Sequence, residues 1–371
     1  EGPFELTLLE ACKPRATWAA RAEKGYAMNS LATDFRSIVG PCRMPSQPER
    51  SPAGRVRRQI PQKSPSRQDF RRAVLAGLSA PLRSIPCKYL YDLLGSELFE
   101  AITQTTEYYP TRCEIEILHT HALEIVARAE PGACLLEFGS GSSVKTEILL
   151  DAMPHLCAYA PVDVSASALA IAARRLSGLY PDLDIRPLVA DFTRPFEMPA
   201  ELGACSRIGF FPGSTIGNLM PGVAQELLEQ MARILAGGTL VVGVDLVKDV
   251  ETLVRAYDDA GGVTAAFNLN LLGRINRELG ADFDIDLFRH EAIWNSSAQR
   301  IEMRLVSLCN QKVVIAGRPF SFQSGERIHT ENSYKYTVES FQSLAAEAGF
   351  APVEAWTDKG ARFSVHLLRA T

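Results

Sequence analysis

Five short apolar runs, "ACLLEFGSG", "LCAYAPVDV", "DIRPLVADF", "RIGFFPGST" and "TLVVGVDLV", punctuate the middle of the chain. Each has the length of a strand. Most are separated by stretches with helical spacing: Val144 to Met153, Ala166 to Leu179 and Val223 to Leu235. This alternation predicts an α/β fold, a doubly wound parallel sheet whose right-handed crossovers put helices on both faces. Ligands of such sheets bind at the carboxyl ends of the strands.

Upstream, "FRRAVLAGLSAPLRSIPCKYLYDLLGSELFEAIT" has apolar residues at helical spacing, broken by Pro81 and Pro86, and reads as an entry region of helices. Pro110 and Thr111 then precede a long amphipathic stretch, expected to be a helix from about Glu114 to Ala129. Downstream of the fifth run, residues 247 to 300 are largely helical by pattern and return to strand only at "RIEMRLVSL". The expected division is therefore a helical entry plus sheet core over 68–246, a smaller substrate lobe over 247–335, and a last helix ("TVESFQSLAAEAGF") and strand ("ARFSVHLLRA") completing the core over 336–371.

Composition narrows the class. With 371 residues, 46% hydrophobic and 22% charged, the chain can bury a sizeable core, yet no apolar run reaches the roughly 18 to 20 residues that cross a bilayer. No membrane partner is expected. Eight cysteines are scattered without CxxC or Cys/His clusters, so neither a metal site nor a disulfide framework is expected, and a reducing compartment, the cytoplasm, fits best. The net charge of −4 hides an asymmetry, because residues 1–67 carry 12 Lys+Arg against 6 Asp+Glu. A nucleic-acid partner would rest on that head alone and is not expected. Pro, Ser and Arg without periodicity make residues 1–67 a basic extension expected to be disordered. It is a targeting segment, an interaction tail or, the favoured reading, sequence upstream of a start at Met28 or Met44.

Candidate chemistry lies at the strand ends. The first run passes from Glu137 through Gly139 and Gly141 to a helix start with Ser142 and Ser143 as caps. Val144 stands where a dinucleotide fingerprint has its third glycine, which favours a smaller ligand such as an adenosyl sulfonium. The second run ends at Asp163, suited to ribose hydroxyls, and the third at Asp191 and Phe192, suited to the amino group and the face of adenine. Each acid alone reads better as a cap or a solvated strand end. Together they favour S-adenosylmethionine over NAD. The fourth run, "FFPGSTIGNL", ends in Ser214, Thr215 and Asn218. The amide of Asn218 can bind both a carboxylate and an amine, although capping the helix that starts near Pro221 is an equal use for it.

The motifs "EYYPTR", "EFGSGSSVKT", "FFPGSTIGN", "VDLVKD", "LVRAYDDAGGVTAAFN" and "IHTENSYKY", in this order, resemble those of the histidine-specific methyltransferases that convert histidine to hercynine, the first step towards ergothioneine. The likeness covers about residues 69 to 370. It implies a class I fold that uses S-adenosylmethionine to trimethylate the α-amino group of L-histidine. It implies cofactor-side roles for Tyr91, Gly139, Lys145, Asp163, Asp191 and Phe192, and substrate-side roles for Tyr108, Asn218, Tyr257, Met303, Glu331, Asn332 and Ser333. Tyr91 and Asn218 would act at the methyl transfer itself. Asn218 and Tyr257 would hold the carboxylate and amine, and Glu331 and Ser333, with Tyr108, the imidazole. A carboxylate beside a hydroxyl suits the two ring nitrogens of imidazole, whereas indole has a single N–H. Phe210, Phe211 or Met303 would provide an apolar face for the growing ammonium. No histidine stands out as a base; His290 reads as incidental. A monomer is expected. The competing readings are an N-methyltransferase for another amino acid or an indole derivative, and a silent binding subunit that keeps the fold.

Overall fold

The computed structural model describes residues 60–61, 66–130, 132–140, 144–196, 198–199, 202 and 205–371. The expectations for most of the head, and for Gly141, Ser142 and Ser143, fall outside these residues. The head nevertheless ends earlier than its composition predicts. Ile60–Pro61 form a short strand, β1, and Ser66 starts a capping box with Asp69 that opens helix α1, Arg67–Ser79.

The entry region continues as a 3-10 turn over Cys87–Leu90 and α2 over Leu93–Thr103. Helix α3 spans Tyr109–Val126 and so begins a turn before the expected Glu114. Pro110 sits inside its first turn, where the missing N–H costs nothing, and is part of the helix rather than a boundary.

The core alternates as its pattern predicts: β2 (Cys134–Phe138), α4 (Val144–Ala152), β3 (Ala158–Asp163), α5 (Ala166–Leu179), β4 (Leu188–Val189), β5 (Arg207–Phe211), α6 (Pro221–Leu235) and β6 (Thr239–Asp245). After the lobe come α9 (Val338–Glu347), β12 (Phe350–Thr357) and β13 (Phe363–Ala370). The sheet runs β1-β4-β3-β2-β5-β6-β13-β12. The pairs from β1 to β6 are parallel; β13 is antiparallel to both β6 and β12. Strand β12 had no separate signal in the sequence. Only Phe350 of its eight residues is buried, as suits an edge strand, in contrast to the continuous burial of β2 and β6.

Continuous burial in the central strands reflects two cores. Leu135, Phe210 and Val241 face helices α3 to α5, while Leu136, Phe211 and Val242 face α6 and α9. All six are buried, each contributing roughly 1.5–3 kcal/mol by the usual transfer scale.

Between β6 and α9 the chain builds a second sheet. Helices α7 (Val250–Tyr257) and α8 (Val263–Leu279) lead into β7 (Phe288–Asn295), β8 (Arg300–Ser307), a hairpin of β9 (Gln311–Ile315) and β10 (Arg318–Phe322), and β11 (Arg327–Tyr334). Strands β11, β8 and β7 pair antiparallel in that order. The expectation of helix up to residue 300 is thus corrected at β7, whose apolar and polar residues alternate along a half-covered face. Among the described residues no helix is long and apolar enough to cross a membrane.

Candidate active site

The strand tips gather one set of predicted residues. Gly139 follows β2 with φ +77, and a Cβ there would lie 3.5 Å from the Phe192 ring, so any side chain would take the space between the tip and that ring. The Phe192 ring packs edge-on against Phe138 and Phe211 at centroid distances of 6.4 and 5.7 Å. Phe211 therefore supports the cofactor side rather than an apolar face for the amine, and Phe210 is sealed on the opposite face of the sheet. Asp163 and Asp191 end adjacent strands, joined by the Ala190 N–H donating to the Asp163 carbonyl at 3.0 Å. One Asp163 oxygen accepts from the Ser165 N–H at 2.8 Å, and Asp191 accepts from Lys88 at 2.9 Å. Burial would raise Asp191; its bonds from Thr193 and Lys88 override this and hold the carboxyl below its ordinary range. An aromatic ring, a glycine gap and two carboxylates fit an adenosyl group.

The turn after β5 joins this set to the second. Gly213 at φ +79 and Ser214 at φ 55 turn the chain left-handed, an uncommon conformation for serine. Two bonds hold it there. The Gly213 N–H donates to the carboxylate of Glu114 at 2.9 Å, and Ser214 Oγ accepts from the Asp245 N–H at 2.9 Å. Glu114, buried on α3, is also ion-paired with Lys145 at the start of α4. The 3-10 turn Thr215–Asn218 follows and packs so closely on the end of β11 that a Cβ on Gly217 would meet the Tyr334 carbonyl at 2.7 Å. Asn218 is not spent on helix α6. That helix is capped by Met220 without a side-chain bond, and Asn218 makes no side-chain hydrogen bond among the described residues.

The second set lines the lobe. The Tyr108 ring lies 6.1 Å from Tyr257, Tyr91 packs on Phe99 and Phe267, and Tyr257 Oη is 2.7 Å from Ser333 Oγ. Met303 faces Glu331 across the β8–β11 ladder. Glu331 is 6% exposed, and its Oε2 has no hydrogen-bond partner among the described residues. Burial pushes this carboxyl up to about 8, with only the Lys335 charge opposing. Burial also raises the hydroxyls of Tyr91, Tyr108 and Tyr257 well above their usual range, so they stay protonated. Asn332 is not brought in. Successive strand residues face opposite sides, so Asn332 pairs with the buried Glu302 on the other face from Glu331 and Ser333, its Nδ2 3.9 Å from the Met220 sulfur.

One segment ties the two sets together. Ile85 N–H donates to the His329 carbonyl and His329 N–H to the Arg83 carbonyl, both at 2.9 Å, which anchors the segment to β11. A few residues on, Lys88 reaches Asp191, and Tyr91 follows.

Several residues that matter here carried no separate signal. Glu114 reads as one acid of an amphipathic helix. Asp245 lies at the tip of β6 and accepts from Tyr109 Oη at 2.8 Å, Lys248 at 2.6 Å and Lys335 at 2.6 Å. Burial would raise it, and the two ammoniums override that and hold it below its ordinary range. Lys335 could have been found by period-two spacing from Glu331 and Ser333. His290, read as incidental, donates from Nε2 to the Tyr257 carbonyl at 2.8 Å while Nδ1 accepts from Asn268 at 2.9 Å. Burial lowers its affinity for a second proton, so it stays neutral.

The sequence pattern of a family described as "Histidine-specific methyltransferase, SAM-dependent" matches residues 70–370. The chain is 45% identical to the histidine N-alpha-methyltransferase of Mycolicibacterium smegmatis and 44% identical to that of Mycobacterium tuberculosis, each alignment covering 80% of this chain and 94% of the relative. It is also 28% identical to the ergothioneine biosynthesis protein 1 of Neurospora crassa, over 77% of this chain and 33% of that longer protein.

Proposed function

The chain belongs to the histidine-specific, SAM-dependent methyltransferases, and on that premise we propose that it trimethylates the α-amino group of L-histidine to hercynine, the first step of ergothioneine biosynthesis. S-adenosylmethionine, when bound, supplies an electrophilic methyl group. The chain's own residues bind and orient. Gly139, Phe192, Asp163 and Asp191 would hold the adenosyl group, Lys145, fixed by Glu114, its amino-acid end, and Tyr91 would meet both cofactor and substrate.

Asn218 and Tyr257 hold the carboxylate and amine of histidine, and Glu331 and Ser333, with Tyr108, hold the ring. The observation that carries this reading is the buried carboxyl of Glu331, whose Oε2 has no partner among the described residues, beside the Ser333 hydroxyl in a wall of tyrosines. A buried carboxyl lacking a partner costs free energy that an imidazole N–H recovers. The oxygen of Tyr91 or Tyr108 accepts from the amine N–H and aims its lone pair, so that positioning supplies most of the rate. Met303 gives the apolar side that tolerates added methyls. Residues 247–335 act as the substrate lobe over the cofactor-binding sheet.

The test is incubation with S-adenosylmethionine and histidine, tryptophan and dimethylallyl-tryptophan in parallel, read by mass spectrometry. Histidine should gain three methyl groups. Preference for an indole overturns the substrate, and no methylation of any of the three overturns the enzyme.

A further inference from the structure

Lys335 directly follows β11, and its side chain is fully buried. Three oxygens lie within hydrogen-bond distance of its Nζ: Tyr257 Oη at 2.9 Å, Ser333 Oγ at 2.7 Å and Asp245 Oδ2 at 2.6 Å. An ammonium has three N–H bonds and no lone pair, so each hydrogen is committed and each of these oxygens must accept. Tyr257 and Ser333 also share a hydrogen bond of 2.7 Å, in which one donates to the other. The pair is left with a single O–H to offer outward, since one hydrogen is spent within the pair and a lone pair on each oxygen is spent on the ammonium.

Charge points the same way. Asp245 is the only carboxylate bonded to both Lys335 and Lys248 among the described residues. Burial lowers both ammoniums, Lys248 to about 8, and the Asp245 carboxylate opposes this for each; with both protonated, two ammoniums share one counter-charge and an excess positive charge stands behind the two hydroxyls. Glu331 lies on the same strand face as Ser333 and Lys335, and burial keeps it largely protonated at neutral pH, so it leaves most of that excess standing.

We propose that Lys335 is a positioning residue that turns Tyr257 and Ser333 into a cation-backed donor, selecting substrates that carry a free carboxylate over those with a neutral carboxamide at the same place. The inference rests on the histidine reading above and deepens it. A carboxylate accepts the outward O–H and feels the excess charge; a carboxamide accepts more weakly and carries no charge for the cation behind the pair to attract.

The experiment compares kcat/KM for L-histidine and L-histidinamide in the wild-type enzyme, in Lys335→Met, which keeps length and loses charge, and in Lys335→Arg. Wild type should prefer histidine by at least about tenfold, and Lys335→Met should lose most of that ratio through a raised KM for histidine, while Lys335→Arg keeps it. Asp245 retains Lys248 and Tyr109 in these variants, and binding of S-adenosylhomocysteine, expected unchanged, reports that the fold survives. If Lys335→Met does not bind it, the ratio in Lys335→Gln decides in its place. A purely structural lysine would lower both substrates together and leave the ratio intact, which overturns the inference, as does a wild-type enzyme with no preference. Failure of wild type to methylate histidine at all overturns the histidine reading, and this inference with it.

Discussion

Replacing Glu331 by glutamine should stabilise the ligand-free protein and abolish its recognition of histidine, and the two effects share one cause. The carboxyl is buried, its Oε2 has no partner among the described residues, and burial has moved its pKa from the ordinary 4.5 to about 8. The folded state therefore holds this proton more tightly than the unfolded chain does. Below pH 4.5 both states are protonated and the carboxyl costs nothing; as the pH rises through the interval up to about 8, the unfolded state gains by ionising and stability falls. At about 1.4 kcal/mol per pH unit, the cost is on the order of 3 kcal/mol at pH 7 and levels off near 5 kcal/mol above pH 8. Glutamine keeps the shape and cannot ionise. In urea or thermal melts without ligand, Glu331→Gln should match wild type near pH 4.5 and exceed it increasingly up to pH 8.5. Calorimetry on the same samples should show histidine binding lost and S-adenosylmethionine binding kept. A stability difference that does not grow with pH, or a variant less stable throughout, would refute the reasoning.

Other outcomes follow from the same contacts. Glu114→Ala removes the partner of both Lys145 and the Gly213 N–H; breaking such a buried pair should cost about 3–5 kcal/mol in denaturant melts and weaken S-adenosylmethionine binding. His290→Phe leaves the Tyr257 carbonyl unpaired, so KM for histidine should rise about tenfold with KM for the methyl donor unchanged, and an equal rise in both would contradict the assignment. Deleting residues 1–58 should leave turnover and melting unchanged. Deleting residues 1–66 removes β1 and the Ser66 cap, a loss of at least about 1 kcal/mol that a melt would detect.

Much was legible in the order of residues alone, for reasons of periodicity. Runs such as "LLEF" and "TLVVGVD" are apolar on both sides because their strands are covered on both faces, and the helices between them repeat at 3.6 residues, so the doubly wound sheet followed directly. Glycine and acids at successive strand ends marked the adenosyl side, because a parallel sheet brings every such end to one rim. Period-two spacing also held a shared face for Glu331, Ser333 and Lys335, yet the reading of the sequence passed over Lys335 and put Asn332 with the substrate residues, because it followed the motif rather than the alternation along the strand. The lobe was less legible: β7 sits after two helices with burial on one face only, and its partner strands are defined by a ladder that no local pattern fixes.

Only the tertiary structure decided the electrostatics. Lys88 meets Asp191, Lys145 meets Glu114, and Lys335 meets Asp245 across separations of 103, 31 and 90 positions, and nothing in the neighbourhood of any one of these residues names its partner. Whether Glu331 is a solvated strand-end acid or a buried one pushed up to about 8 depends on the segment that lies over it, anchored at His329 and running on to Tyr91. Periodicity is a property of the chain; desolvation and charge pairing belong to the packed molecule, and they set the chemistry of this site.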